Sequence, residues 1–121
     1  MHPMTNKELA ELIQATYEEF NLIEYKWNFM TQSTANDFRV CPIGAAFIGT
    51  VGNVRRAEEE WNNRKECDEY KFVAEKLGTD YKTIGTISKI HVRKIYTAAE
   101  IVERLKSGQF EADITNMYPQ S

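Results

Sequence analysis

The chain has 121 residues, 42% apolar and 27% charged, a balance that is typical of one globular domain and excludes wholesale disorder. Its 15 basic and 18 acidic side chains give a formal net charge of −3, which excludes a general attraction to nucleic acid or anionic membranes. No stretch approaches the roughly 20 consecutive apolar residues of a membrane-spanning helix, so we expect one cytoplasmic domain over residues 1–121 without membrane contact.

The first predicted element is a helix that begins after Thr5. Thr5 and Glu8 have the spacing of a capping box, in which each side chain accepts a backbone N–H of the other residue. A stripe at helical spacing follows at Leu9, Leu12, Ile13, Thr16, Tyr17 and Phe20. The pattern predicts an amphipathic helix, preceded by a flexible start at residues 1–4.

Aromatic residues alternate in the next segment, at Tyr25, Trp27 and Phe29. Alternation is typical of a strand, so a short strand or an extended arm competes with continuation of the first helix over residues 21–30. The same three rings are candidates for a partner-binding surface, and half-buried core packing is the competing interpretation. A polar, turn-prone loop follows over residues 31–37.

Residues 41–49 combine small and large apolar side chains and predict a buried helix. Pro42 suits the first helical position, where its missing N–H costs nothing. Small residues at Gly44, Ala45, Ala46 and Gly49 would let a neighbouring backbone approach closely. We therefore place the structural centre of the domain here.

Cys41 is the candidate for catalysis, as the nucleophile of a thiol-dependent enzyme. A thiol at a helix N-terminus feels the positive end of the helix dipole, which can lower its pKa. No resolving cysteine is close in sequence, since the other one is Cys67, and the competing interpretation is a small, buried, apolar side chain. The two cysteines and two histidines also lack the spacing of a zinc site, so we expect no metal and no cofactor.

Two further helices are predicted in the middle of the chain. Asn53 can cap the first of them. A helical stripe of Cys67, Tyr70, Val73, Ala74 and Leu77 marks the second. Gly78 can end that helix in the left-handed conformation. Residues 79–96 are rich in β-branched side chains around Gly85, so a strand or hairpin competes with a helix there.

Residues 72–87 look like a helix-turn-helix motif. The motif's small residue, turn glycine and second-helix apolar residues are Ala74, Gly78, Ile84 and Ile87. A basic run that could contact DNA phosphates consists of Lys82, Lys89, Arg93 and Lys94. Gly85 and its β-branched neighbours make a poor recognition helix, so a structural or protein-contact role for residues 72–94 competes with DNA binding.

Thr97 and Glu100 form a second capping box, and the helix that it starts is expected to end at Gly108. Residues 109–121 are a candidate mobile tail that has enough apolar side chains to dock. The glycines match neither a phosphate loop nor the dinucleotide fingerprint, and no serine lies in a nucleophile elbow. We therefore assign no catalytic residue beyond the candidate Cys41.

The segment Arg39-Val40-Cys41-Pro42-Ile43-Gly44-Ala45-Ala46 resembles the Arg-x-Cys-Ala-Leu-Gly-Ala segment of small uncharacterised bacterial and phage proteins. The resemblance extends to the first helix, to Ala74-Glu75-Lys76-Leu77-Gly78 and to the helix that follows Thr97. Pro42 and Ile43 depart from the pattern, and the Trp-Asn-Asp segment that is usual before the last helix is absent. The resemblance implies a compact, largely helical domain and transfers no catalytic residue.

The whole sequence predicts a mainly α, single-domain helical bundle, with or without a short β-hairpin. The alternative fold class is α+β. We expect a small non-enzymatic intracellular interaction or regulatory protein that binds a protein partner, with a phage association suggested by the resemblance. A helix-turn-helix DNA-binding regulator using residues 72–94 is the first alternative. A thiol-dependent enzyme at Cys41 is the second. The sequence leaves the partner and the oligomeric state open.

Overall fold

A computed structural model describes residues 3–25, 30–32 and 38–118 of the chain. This described part forms seven helices and three short strands, which confirms the prediction of a mainly α fold. In chain order the elements are α1 (Asn6–Glu19), β1 (Ile23–Glu24), β2 (Met30–Gln32), β3 (Phe38–Val40), α2 (Pro42–Val51), α3 (Val54–Asn62), α4 (Glu69–Leu77), α5 (Tyr81–Val92), α6 (Ala98–Ser107) and α7 (Phe110–Met117).

The strands form one small sheet in the order β1-β3-β2. β1 pairs parallel to β3, with Ile23 opposite Arg39, and β2 pairs antiparallel to β3, with Thr31 opposite Arg39. The antiparallel pair therefore lies within residues 30–40. The sequence pattern instead allows a β-hairpin at residues 79–96. β1 lies at one edge of the sheet. Its last residue, Glu24, contacts His91 of α5 and the backbone N–H of Ala98 of α6.

Capping interactions agree with the predicted helix ends. The side chains of Thr5 and Thr97 accept the backbone N–H groups of Glu8 and Glu100, and both capping boxes are complete. Asn53 caps α3. Glycines with positive φ end α2, α4 and α6 at Gly52, Gly78 and Gly108. Glycine adopts this left-handed conformation with little strain, which explains why the helices end at these points.

α2 is the centre of the fold, as the sequence predicts, and residues 41–48 are all buried. It packs closely against α1 at Gly49, where an added Cβ would overlap Thr16 Oγ1 and the Leu12 side chain. The absence of a side chain at Gly49 therefore permits the close approach of the two helices. This contact sets the position of α1, which forms one wall of the candidate site.

Residues 79–96 contain a helix rather than a strand. Residues 83–87 of α5 are all buried. Packing supplies most of the stability of such a helix and outweighs the low intrinsic helix preference of its β-branched residues and of Gly85. A Cβ at Gly85 would overlap the Tyr118 hydroxyl, so the C-terminal segment lies directly over this turn of α5.

Both ends of the described chain contact the rest of the domain. Met4, in the start that is expected to be flexible, donates its N–H to the Gly78 carbonyl at 2.8 Å. Within residues 109–121, α7 is held by Arg104, which donates to both carboxylate oxygens of Asp113 at 2.6 and 3.1 Å. No helix in the described ranges is long and apolar enough to cross a membrane.

Candidate functional site

Cys41 lies at the N-cap of α2, but inside the core. The residue keeps 8% of its surface exposed. Burial raises the pKa of its thiol, and backbone hydrogen bonds from Gly44 and Ile43 offset this only in part. Loss of solvation therefore outweighs the stabilisation of a thiolate by the helix N-terminus, and the geometry fits the interpretation of Cys41 as a small apolar side chain.

We expect a thiol-modifying reagent to distinguish the two cysteines. Cys67 is exposed and Cys41 is buried, so iodoacetamide should label Cys67 in the native protein and reach Cys41 only after unfolding. Peptide mass spectrometry before and after addition of urea measures both labelling rates. Rapid labelling of Cys41 in a folded Cys67→Ser variant would favour the thiol-enzyme alternative instead.

Of the basic residues proposed for DNA contact, Lys82, Arg93 and Lys94 are exposed and Lys89 is half-buried. Lys82 and Lys89 share one side of α5, Arg93 is the C-cap of the helix, and Lys94 follows it. α7 covers part of that side, since the Lys89 ammonium lies 4.4 Å from the centre of the Tyr118 ring and Arg93 donates to the Met117 sulfur at 3.7 Å. α4 and α5 do form two helices joined by a turn at residues 78–80. A recognition helix needs an open side to enter a groove, and DNA contact by these four residues stays a prediction.

Of the three aromatic candidates, Tyr25 lies within the described residues, and Trp27 and Phe29 fall outside them. Tyr25 is half-buried beside the end of β1. Its backbone N–H donates to the Val40 carbonyl at 3.0 Å, and the Arg39 guanidinium lies 5.4 Å from the centre of its ring. A partner-binding role for this group of rings stays a prediction.

A cleft that no sequence motif marks lies between α1, β1 and α6. Its volume is about 360 Å³, at the lower end of the range for ligand pockets. Its walls are formed by Gln14, Tyr17, Glu18, Leu22, Glu24, Ala98, Ala99, Val102 and Glu103. These described lining residues include three carboxylates and four apolar side chains but no lysine or arginine. We call this site the acidic cleft; its lining suits a ligand that has an apolar part and a positive charge.

Glu24 is the carboxylate whose position in the acidic cleft is most firmly held. Its Oε2 lies 2.6 Å from His91 Nε2 and accepts the backbone N–H of Ala98 at 2.9 Å. Because Ala98 is the first residue of α6, the carboxylate also lies at the positive end of that helix dipole. The Glu24 side chain remains 37% exposed, so it is both held in place and open to a ligand.

His91 positions Glu24 from the interior of the protein. The imidazole is 1% exposed, and its Nδ1 has no hydrogen-bond partner among the described residues. The tautomer with its hydrogen on Nε2 pairs that N–H with Glu24 and leaves no buried donor unpaired. Because Nε2 is engaged and the ring is enclosed, His91 is out of reach of a molecule in the cleft and serves as a positioning residue.

Tyr17 forms the inner wall of the acidic cleft. Its hydroxyl donates to the Val40 carbonyl at 2.8 Å and so connects α1 to β3. Burial raises the pKa of the phenol well above its usual range, and electrostatic interaction with Cys41 and Glu24 adds to the shift. Tyr17 is therefore neutral, and the negative charge of the cleft comes from its carboxylates.

Comparisons of the chain with protein-family models, curated proteins and solved structures found no match. The assignment of the candidate site therefore rests on its geometry alone. Sequence reasoning missed Glu24 and His91 because they are 67 residues apart and neither belongs to a motif. Over the described ranges, no cluster of His, Cys, Asp or Glu side chains could hold a metal ion.

Proposed function

We propose that the protein is a non-enzymatic intracellular interaction protein that binds a protein partner through the acidic cleft. The observation that carries the proposal is the Glu24 carboxylate, which is held by His91 and α6 and is exposed in an apolar-walled cleft. Glu18 and Glu103 add negative charge to the same walls. Complementary charge selects and steers partners, so the surface that binds here should be basic.

An adjoining depression supports a polypeptide as the partner. This second depression has a volume of about 330 Å³ and shares Ala99 and Glu103 with the acidic cleft. It is also lined by Tyr96, whose ring centre lies 4.6 Å from the Arg104 guanidinium. Tyrosine and arginine are enriched at protein interfaces. A chain that crosses α6 at Ala99 would contact both depressions.

The chemistry of the nearby reactive groups supports a binding role. The Cys41 thiol is buried with a raised pKa, and His91 is enclosed with its Nε2 engaged by Glu24. Neither group is placed to attack or deprotonate a substrate in the cleft. Both Cys41 and Cys67 are free thiols, which fits the reducing compartment that the proposal assumes.

Selection of a random-sequence peptide library against the immobilised protein tests the proposal. We expect enrichment of peptides that carry basic residues. Their affinity should fall by more than about tenfold for Glu103→Lys, because this change places a like charge where both depressions meet. Fluorescence anisotropy with the enriched peptides measures the affinities.

Glu59→Lys is the matched control, since Glu59 is exposed on α3 and does not line the cleft. It makes the same change in net charge and should bind the selected peptides as tightly as the wild-type protein. Failure to enrich any peptide, or equal binding to the Glu103→Lys and wild-type proteins, would contradict the proposal. Circular dichroism of both variants confirms that they are folded.

A further inference from the structure

We infer that the group bound in the acidic cleft is a lysine side chain of the partner, with its ammonium at Glu24 Oε1. The inference rests on the proposed function and narrows the occupant to one residue type. It follows from three features of the cleft: the use of the two Glu24 oxygens, the apolar walls, and the balance of nearby charges.

The hydrogen bonds of Glu24 favour an ammonium over a guanidinium. Oε2 is already shared between His91 Nε2 and the Ala98 N–H. Of the two Glu24 oxygens, Oε1 is the one without a hydrogen-bond donor among the described residues. Arginine gains its advantage by donating two parallel hydrogen bonds to both oxygens of one carboxylate. A lysine ammonium is a compact charge that needs one oxygen from each acceptor, so it matches the remaining site on Glu24.

The walls of the cleft suit the stem of a lysine side chain. Leu22 and Val102 line the same space as Glu24, together with the methyl groups of Ala98 and Ala99. Lysine buries its methylene groups along apolar surface and keeps the ammonium at a polar end. The cleft therefore offers apolar surface to the methylene stem and one held carboxylate to the ammonium.

The charges around the cleft leave it negative even after the neighbouring Lys106 is counted. Glu18, Glu24 and Glu103 line the walls, and Lys106 stands beside them, where its Nζ donates to Gln14 Oε1 at 2.8 Å. The cleft thus has three lining carboxylates and one ammonium next to a lining residue. The excess of negative charge favours a second ammonium in the cleft, and acetylation of the partner lysine would remove this interaction.

Binding of small probes to the ¹⁵N-labelled full chain tests the inference. The probes are Nα-acetyl-lysine methylamide, its arginine counterpart and its Nε-acetylated counterpart, and the readout is the amide signals of Ala98 and Ala99. We expect the lysine probe to shift these signals in the millimolar range, the arginine probe to bind about tenfold more weakly, and the acetylated probe to cause no shift. An arginine probe that binds as tightly, a shift with the acetylated probe, or no shift with any probe would overturn the inference.

Matched variants locate the binding site. Glu24→Gln keeps the shape of the side chain without its charge and should weaken lysine binding by about tenfold to a hundredfold. Glu59→Gln makes the same change outside the cleft and should have no effect. If Glu24→Gln does not fold, Glu18→Gln removes a charge from an exposed position of the cleft and should weaken binding several-fold. Unchanged binding in the folded cleft variant would overturn the assignment.

The outcome for the proposed function can be told apart from the outcome for lysine. Selected peptides that bind in the cleft through arginine would overturn the lysine assignment and leave the proposed function standing. n-Butylammonium has the four-carbon stem and ammonium of lysine without a peptide. If it shifts the Ala98 signal and no peptide can be selected, the cleft binds a small amine and not a partner lysine, which would overturn both. Peptides that lose binding when one lysine is acetylated, and not when another residue is changed, would support both.

Discussion

Replacement of Phe47 by alanine is expected to destabilise the protein by about 3–5 kcal/mol. The ring is 0% exposed on α2, and its centre lies 5.5 Å from that of Phe72 and 6.5 Å from that of Trp61. Truncation leaves a cavity that the two neighbouring rings can fill only in part. Such a loss is a large share of the 5–15 kcal/mol by which a typical domain is stable. Urea unfolding followed by circular dichroism measures the change.

An exposed apolar residue gives the control for this prediction. Ile95 is 49% exposed, so Ile95→Ala should change the free energy of unfolding by no more than about 0.5 kcal/mol. The dependence of unfolding on urea should remain similar in both variants, because neither change alters the surface that unfolding exposes by much. A loss below about 1.5 kcal/mol for Phe47→Ala would show that the ring is not at the centre of the core.

The helices that the sequence predicts most closely are those with two independent local signals. α1 and α6 each have a capping box and an apolar stripe, and the capping residues, such as Thr5 and Glu8, lie within one turn of each other. α2 has Pro42 at its start and a run of small and apolar residues that all become buried. Interactions of this kind are local, and a single sequence therefore contains what is needed to predict them.

α5 shows where local preference fails. Its β-branched residues and Gly85 are compatible with a strand, but in the structure the same residues are buried on a helix. The deciding contacts come from other elements, including the Tyr118 side chain over Gly85 and the Tyr70 ring beside it. Tertiary packing of this kind routinely overrides intrinsic preference, and no window of sequence around α5 reports it.

The acidic cleft depends on contacts that are still more remote. Glu24 meets His91 across 67 residues and the Ala98 N–H across 74 residues. α1 forms the wall opposite α6, and its position is set by its close packing against Gly49 of α2. The sequence therefore predicts the helices that surround the cleft, but the pairing of its polar groups becomes visible only in the folded chain.

Raising the pH above about 9 is expected to destabilise the protein steeply. In the unfolded chain, cysteine and tyrosine lose their protons near pH 8.5 and pH 10. Burial raises the pKa of Cys41 and of Tyr17 in the folded state, so the folded protein binds more protons than the unfolded chain and its stability falls as the pH rises. The slope should be ~1.4 kcal/mol per pH unit from Cys41 above about pH 8.5, with up to the same again from Tyr17 above about pH 10.

Two variants separate these contributions when urea unfolding is measured between about pH 7 and pH 11. Cys41→Ala should remove the slope that begins near pH 8.5, and Tyr17→Phe should remove the part that begins near pH 10. Tyr17→Phe also loses the hydrogen bond to Val40, which lowers stability by about 1 kcal/mol at every pH, so the change in slope is the diagnostic quantity. Cys67→Ala, at an exposed thiol, should retain the wild-type slope. Equal slopes in all four proteins would contradict the burial of both groups, and with it the inward hydrogen bond of Tyr17 that forms the inner wall of the acidic cleft.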